Sequence, residues 1–265
     1  MNAASFYIPD GSSDRGLAFL STDHTRGPWD PSAQHGGPPA ALIGHVLETM
    51  HPREDMQFVR LTFEILRPVP ASRLHVLTEV SRGGRRVERL VATMSDDQGT
   101  PVMLASAWRI RTMELPLTDG IEGEEVPGPD DLQASTTFFM KIPDGGYLQA
   151  METRFVTGDW AQPGAATVWF RMRYPLLPDT PTSPLARVLN AADSANGVSS
   201  RFNGLFINPD LTVYLTRPAV GDWVGLQANT TLTNHGIGLA TSIIHDRSGP
   251  VGRGSQSLLL DVMHG

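Results

Sequence analysis

Four places in the sequence carry residue types that do chemistry. The first is Gln34-His35-Gly36-Gly37-Pro38-Pro39. Glycine lets a ligand come close to the backbone, and the first N–H groups of a helix have no intrahelical partner and carry partial positive charge. Such donors suit a developing oxyanion, although the same residues also make an ordinary tight turn before a proline-started helix. The second is Asp193, set among the small residues Ala191, Ala192 and Ala195. Aspartate is a poor helix-interior residue, so it is either a solvated side chain or a carboxylate placed for something that approaches that face. Gln256, within the run Gly254 to Leu260, faces solvent or a polar pocket. Asn208, ahead of Pro209-Asp210, is a turn residue at a strand entry or an amide that orients water.

The elements that must position these residues come in two copies. Leu61-Thr62-Phe63-Glu64-Ile65-Leu66-Arg67-Pro68 reappears as Leu211-Thr212-Val213-Tyr214-Leu215-Thr216-Arg217-Pro218, and at the same offset Asp96 and Gly99 fall on Asp246 and Gly249. A spacing this long is a duplicated domain rather than a solenoid repeat. Each copy opens with a helix: Ala40 to Met50 behind Pro38 and Pro39, and Leu185 to Asn196, capped by Thr182 and Ser183, started by Pro184 and stopped by Gly197. β-rich runs follow at Phe58 to Leu66, Arg73 to Ser81, Arg86 to Ser95 and Val102 to Ile110, then at Asp210 to Leu215, Trp223 to Thr231, Gly238 to His245 and Gly254 to Val262. A meander with one apolar face needs cover, and the helix is the cover at hand. The expected class is α+β, with domains at 1–114 and 141–265 joined by an acidic linker, 115–140.

Composition narrows the chemistry. The net charge is −7, and seven acids between Glu114 and Asp131 account for it, leaving the rest neutral, so neither a nucleic acid nor an anionic membrane is called for. The longest apolar run, near Pro38 to Gly44, is far short of a bilayer span, the first twenty residues show no secretory leader, and Asp261 to Gly265 carries no lipidation or peroxisomal address. A cytoplasmic protein is expected. The absence of cysteine removes disulfides, thiol catalysis and cysteine-held metals. Gly197-Val198-Ser199-Ser200-Arg201 is no nucleophile elbow, Gly236-Ile237-Gly238 lacks its third glycine at Thr241, and the eight histidines show no ligand spacing. Arg82, Arg85, Arg86 and Arg89 read as a solvated hairpin tip.

Taken in order, His35-Gly36-Gly37, the strand end Leu66-Arg67-Pro68, and then Asp193, Asn208 and Gln256 resemble the double-hotdog acyl-CoA thioesterases of type II. The resemblance covers nearly the whole chain. It implies a tandem hotdog with two helices against one continuous antiparallel sheet, and hydrolysis of a fatty acyl-CoA in fatty acid metabolism without metal or cofactor. It also implies a homo-oligomer, a dimer. In that family an Asp, a Ser or Thr and a Gln hold the attacking water. The Asp and Gln match Asp193 and Gln256, while Asn208 departs from the hydroxyl. Asp193 then acts as general base or, in a rival form, attacks through an anhydride, and His35, Gly36 and Gly37 bind the thioester carbonyl.

The duplication adds an expectation of its own. The first copy keeps His35-Gly36-Gly37 but has Gly44 and His45 where an acid is wanted; the second keeps Asp193 but starts its helix with Ser183-Pro184. One composite site between the two halves should work, and its pseudo-symmetric mate should be dead. Two other readings remain: a non-catalytic acyl-thioester scaffold, with Asp193 turned to solvent, and a hotdog dehydratase or hydratase, disfavoured because no His lies near Asn208-Pro209-Asp210.

Overall fold

A computed structural model describes residues 4–116, 126–136, 145–202 and 204–261. The first half holds β1 (Tyr7–Ser13), β2 (Gly16–Ser21), α1 (Gly37–Met50), β3 (Met56–Ile65), β4 (Arg73–Arg82), β5 (Val87–Asp96) and β6 (Pro101–Arg111). The second holds α2 (Tyr147–Ala150), β7 (Met151–Thr157), β8 (Ala166–Met172), α3 (Pro184–Ala192), α4 (Ala195–Val198), β9 (Leu205–Ile207), β10 (Asp210–Leu215), β11 (Trp223–Leu232), β12 (Ile237–Asp246) and β13 (Gly249–Asp261). The eight expected β-runs all form, within a few residues of their expected ends except at the start of β13, and Val262, the expected end of the last, lies outside the described residues. Hairpin β1-β2, hairpin β7-β8 and the short β9 were not anticipated.

One antiparallel sheet runs β1-β2-β4-β5-β6-β3-β10-β13-β12-β11-β8-β7, with β9 paired onto β13. Read from either end the order is the same, element for element. At its centre Thr62 lies opposite Thr212, its own counterpart in the repeat, and the Thr212 hydroxyl donates to that of Thr62 at 3.1 Å. A pseudo-twofold axis therefore passes between β3 and β10, and the two halves share an uninterrupted hydrogen-bonded ladder.

The two long helices lie side by side against this sheet. Gly37 is beside Asn190, Gly44 is beside Leu189 and Leu185, and the Ser183 hydroxyl donates to the Glu48 carboxylate at 2.5 Å. α1 and α3 therefore run antiparallel. α1 is apolar almost all round and buried from Gly37 to Gly44 and at Val46 and Leu47, as befits a helix wrapped by a sheet. Its core is continuous with that of the second half. Among the described residues no helix is long and apolar enough to cross a membrane.

The halves also interlock at their edges. Phe6 and Tyr7, both fully buried, donate backbone hydrogen bonds to Pro175 and Leu176, and Tyr147 donates its N–H to the Arg26 carbonyl. The acidic segment is not simply solvated where it is described. Trp169 donates its indole N–H to the Pro127 carbonyl at 2.8 Å, Arg154 donates to that of Pro129 at 2.9 Å, and Asp130 pairs with Arg247. Of the expected linker, 117–125 and 137–140 lie outside the described residues.

Candidate active site

α3 begins as its sequence suggests, with Ser183 as N-cap accepting from the Ala186 N–H at 3.1 Å and Pro184 in the first turn. It does not continue to Asn196, however, and Gly197 is not its stop. The α-helix ends at Ala192 with Asp193 as C-cap, and α4, which includes Gly197, starts after Ser194. The break has its cause in residues distant in the sequence. The Asp193 carboxylate is turned into the sheet, where Oδ1 accepts from Asn208 Nδ2 at 2.8 Å and from Gln256 Nε2 at 3.0 Å. Gln256 Nε2 also reaches the Asp193 carbonyl at 3.1 Å, taking an acceptor that a longer helix would use, and Gln256 Oε1 accepts from the Asn196 N–H. Asp193 is 4% exposed and Gln256 1%. The two amides thus bind the carboxylate directly.

The second oxygen faces the other half of the chain. Asp193 Oδ2 lies 3.3 Å from His35 Nδ1, and a Cβ built on Gly36 would fall 2.7 Å from it. A Cβ on Gly37 would fall 2.2 Å from the Asn190 carbonyl oxygen. The space the two glycines open is therefore filled by α3: they permit the helices to meet, rather than leaving bare backbone beside a ligand. Of the helix-start donors, Pro38 and Pro39 contribute none. The Gly37 N–H donates to His35 Nδ1 at 3.1 Å when that nitrogen is unprotonated, and the Gly36 N–H has no partner among the described residues. His35 Nδ1 thus has two possible partners, and its tautomer selects between them: bearing a proton it donates to Asp193, and without one it accepts from Gly37. Burial lowers the pKa of His35 below its ordinary value, against the opposing pull of the Asp193 charge, so the ring is neutral at neutral pH.

Six residues named from sequence, His35, Gly36, Gly37, Asp193, Asn208 and Gln256, thus come together at one place, three from each half. Their pseudo-symmetric counterparts are apolar where it matters. Aligning the N-caps Gly36 and Ser183 puts Val46 at the position of Asp193. The strand offset puts Phe58 at that of Asn208, and Ala107, which pairs with Leu90 as Gln256 pairs with Ala240, takes the place of Gln256. All three are buried. An acid is present at that end in Glu48, two residues on from Val46, held by Ser183 in a cleft of about 380 Å³ that Glu54 also lines. Burial raises the Glu48 pKa, an effect the Ser183 hydrogen bond opposes.

Sequence reasoning missed Tyr147. Its ring stacks on His35 with centroids 3.8 Å apart and planes 10° from parallel, and its fully buried hydroxyl donates to the Asn190 carbonyl at 2.7 Å and bonds the Ser194 hydroxyl at 2.9 Å. It also missed Trp29, which meets Phe206 edge-on at 5.3 Å and ties the loop ahead of His35 to β9. A tyrosine after two glycines and a tryptophan between Pro28 and Asp30 carry no local signal of these contacts.

Two family models match the chain in order: an acyl-CoA thioesterase N-terminal domain over residues 25–110 and an acyl-CoA thioesterase C-terminal domain over 122–260. No curated protein matches it. Among solved structures, a hot dog fold protein from Alicyclobacillus acidocaldarius is 18% identical, covers 95% of each chain and superposes with a TM-score of 0.75. The tesB protein of Mycobacterium avium subs paratuberculosis is 17% identical over 92% of this chain and 93% of its own, with a TM-score of 0.66. An acyl-CoA thioesterase II from Mycobacterium marinum is 18% identical, covering 86% and 90%, with a TM-score of 0.62.

Proposed function

The chain belongs to the acyl-CoA thioesterase family and has a tandem hotdog fold, and from that premise we propose that it hydrolyses an acyl-CoA thioester to the free acid and CoA at the Asp193 site. The observation that carries this reading is a buried carboxylate with one oxygen bound by two amides and the other turned to His35 and the helix start at Gly36 across the domain interface. The thioester carbonyl is received by the Gly36 N–H, joined by that of Gly37 when His35 turns its Nδ1 proton to Asp193. Asn208 and Gln256 fix the carboxylate so that Oδ2 takes a proton from water as the water oxygen bonds the carbonyl carbon. The C–S bond then breaks, CoA leaves as thiolate and takes the proton held on Asp193 Oδ2, which restores the carboxylate, and the acid departs.

The test is thiol release from acyl-CoAs of graded chain length by the wild-type protein and by Asp193→Ala. Release by the wild type and a loss of two orders of magnitude or more in the variant, the lower end of what a positioned base supplies, is the expected result. Equal turnover by both would remove Asp193 from the chemistry.

One observation favours a second reading. A hotdog dehydratase or hydratase wants a histidine beside its acid; none lies near Asn208 in the sequence, yet folding brings His35 to Asp193. An enoyl-thioester hydratase would add water to the substrate without releasing thiol, so the same assay, with the product analysed by mass, separates the two. The scaffold reading expects a solvent-turned Asp193, and this carboxylate is buried.

A further inference from the structure

We infer that Tyr147 is a positioning residue for His35, its ring fixing the plane of the imidazole and its hydroxyl anchoring that stack to the α3–α4 break that carries Asp193. The three residues come from three separate parts of the chain. Tyr147 belongs to the short α2, which is tied to the first half by the Tyr147 N–H on the Arg26 carbonyl. The near-parallel stack leaves the imidazole little freedom to rotate, so Nδ1 stays in line with both of its partners, Asp193 Oδ2 and the Gly37 N–H.

The hydroxyl does the complementary work on the other helix. The Asn190 carbonyl, four residues before Ser194, is the oxygen that Gly37 has no side chain to obstruct, and the Tyr147 hydroxyl donates to it from one side while bonding Ser194 on the other. These two contacts bracket Asp193 in sequence. One side chain therefore sets the imidazole against the carboxylate from both directions, an arrangement in which a small displacement is costly to a reaction that depends on alignment. The charged group facing His35 is Asp193, and the other titratable group against it is the Tyr147 phenol, which burial and the nearby carboxylate keep protonated.

The assignment as a positioning residue for catalysis rests on the thioesterase reading, whereas the claim about the ring does not, and the experiment keeps them apart. Labelled histidine is followed by NMR across pH in the wild type, in Tyr147→Phe, which keeps the ring and loses both hydroxyl bonds, and in Tyr147→Leu, which loses both. Thioester hydrolysis is measured on the same proteins. In the wild type, His35 is expected to hold one tautomer mixture and to titrate below 6.5, its ordinary value. Tyr147→Leu admits water, raises the midpoint toward 6.5, shifts the tautomer ratio, and lowers kcat by about tenfold with KM within about twofold. Tyr147→Phe keeps the midpoint and loses a few-fold in kcat.

A folded Tyr147→Leu with the His35 midpoint and tautomer ratio of the wild type overturns the inference. If that variant does not fold, Tyr147→Phe decides it: a wild-type kcat together with a lowered melting temperature marks the hydroxyl as merely structural and overturns the anchoring claim. If no variant, and not the wild type, releases thiol, the thioesterase reading falls while the NMR titration still judges the ring.

Discussion

The two ends of the α1–α3 pair are built from the same repeat and have been given opposite contents. At one end Asp193, Asn208 and Gln256 meet His35 and Gly36; at the other Val46, Phe58 and Ala107 occupy the matching places, and the helix start is Ser183-Pro184. The sheet register is the same at both ends, so the difference is local. It lies in three side chains, two cap residues, and the breaks at Asp193 and Asn208 that α1 and β3 lack. A buried carboxylate persists only where its oxygens find donors, and Phe58 and Ala107 offer none at the place of Val46, so losing one member of the polar set there would have made the other two a liability.

The largest effect that tests this contrast is the loss of the carboxylate. Asp193→Ala should lower hydrolysis by about 10² or more, whereas Val46→Ala should change stability by about 1 kcal/mol and leave turnover alone; an equal loss of activity in both would mean that both ends work. Next is the repeated Arg-Pro corner. Arg217 grips the fully buried Asp246, which also accepts from the N–H groups of Val220 and Ser248, while the matching Arg67 is exposed and Asp96 serves the N–H groups of its own turn. Arg217→Met should cost about 2–4 kcal/mol in chemical denaturation because it strands a buried charge, and Arg67→Met less than about 0.5 kcal/mol. Similar costs would show the corners to be equivalent.

A smaller effect is expected at the helix starts. Gly36→Ala sets a methyl against Asp193 Oδ2 and should lower kcat by about tenfold, while Ser183→Ala should cost about 1 kcal/mol of stability as a lost cap without touching turnover. Smallest is the pH response of stability, where the ends should act in opposite senses. His35 has its pKa lowered on folding, so it withdraws stability as pH falls below 6.5. Glu48 has its pKa raised, so it withdraws stability as pH rises above 4.5. Melting temperatures should become less sensitive to acid in His35→Gln and less sensitive to rising pH in Glu48→Gln; unaltered profiles would dissolve this part of the contrast.

What the sequence disclosed follows from what each element buries. β4, β5, β11 and β12 have one face on the core, so their alternation is visible and the repeat offset marks them twice. β8 hides because Val168, Trp169 and Phe170 are all buried, with Trp169 packed beneath Pro127 on the outer side, and no alternation survives. β1 hides because Pro9 and Gly11 read as a turn while the strand absorbs them at an edge with a bulge. The meeting of His35 and Asp193 across the interface was legible because the two copies show complementary losses. Tyr147 was not, since nothing near it in sequence records the ring it stacks upon, and Asp193 reads as a helix-interior residue because its helix-breaking partners are 15 and 63 residues away.

The backbone bonds from Phe6 and Tyr7 to Pro175 and Leu176 bear on how the protein is made. The acceptors for these two N–H groups lie about 170 residues later in the chain, so both donors stay unpaired while the first half alone has left the ribosome, although Tyr7 already faces Ser21 and the Phe6 carbonyl already accepts from Thr22. That half emerges with its leading edge unfinished and with the face of α1 that meets α3, at Gly37 and Gly44, uncovered. Long-range pairing of this kind is slow and leaves apolar edges exposed in the interval. Synthesis is thus the stage at which the first domain is most in need of a chaperone, and truncation anywhere before Leu176 should yield an aggregating fragment rather than an independent domain.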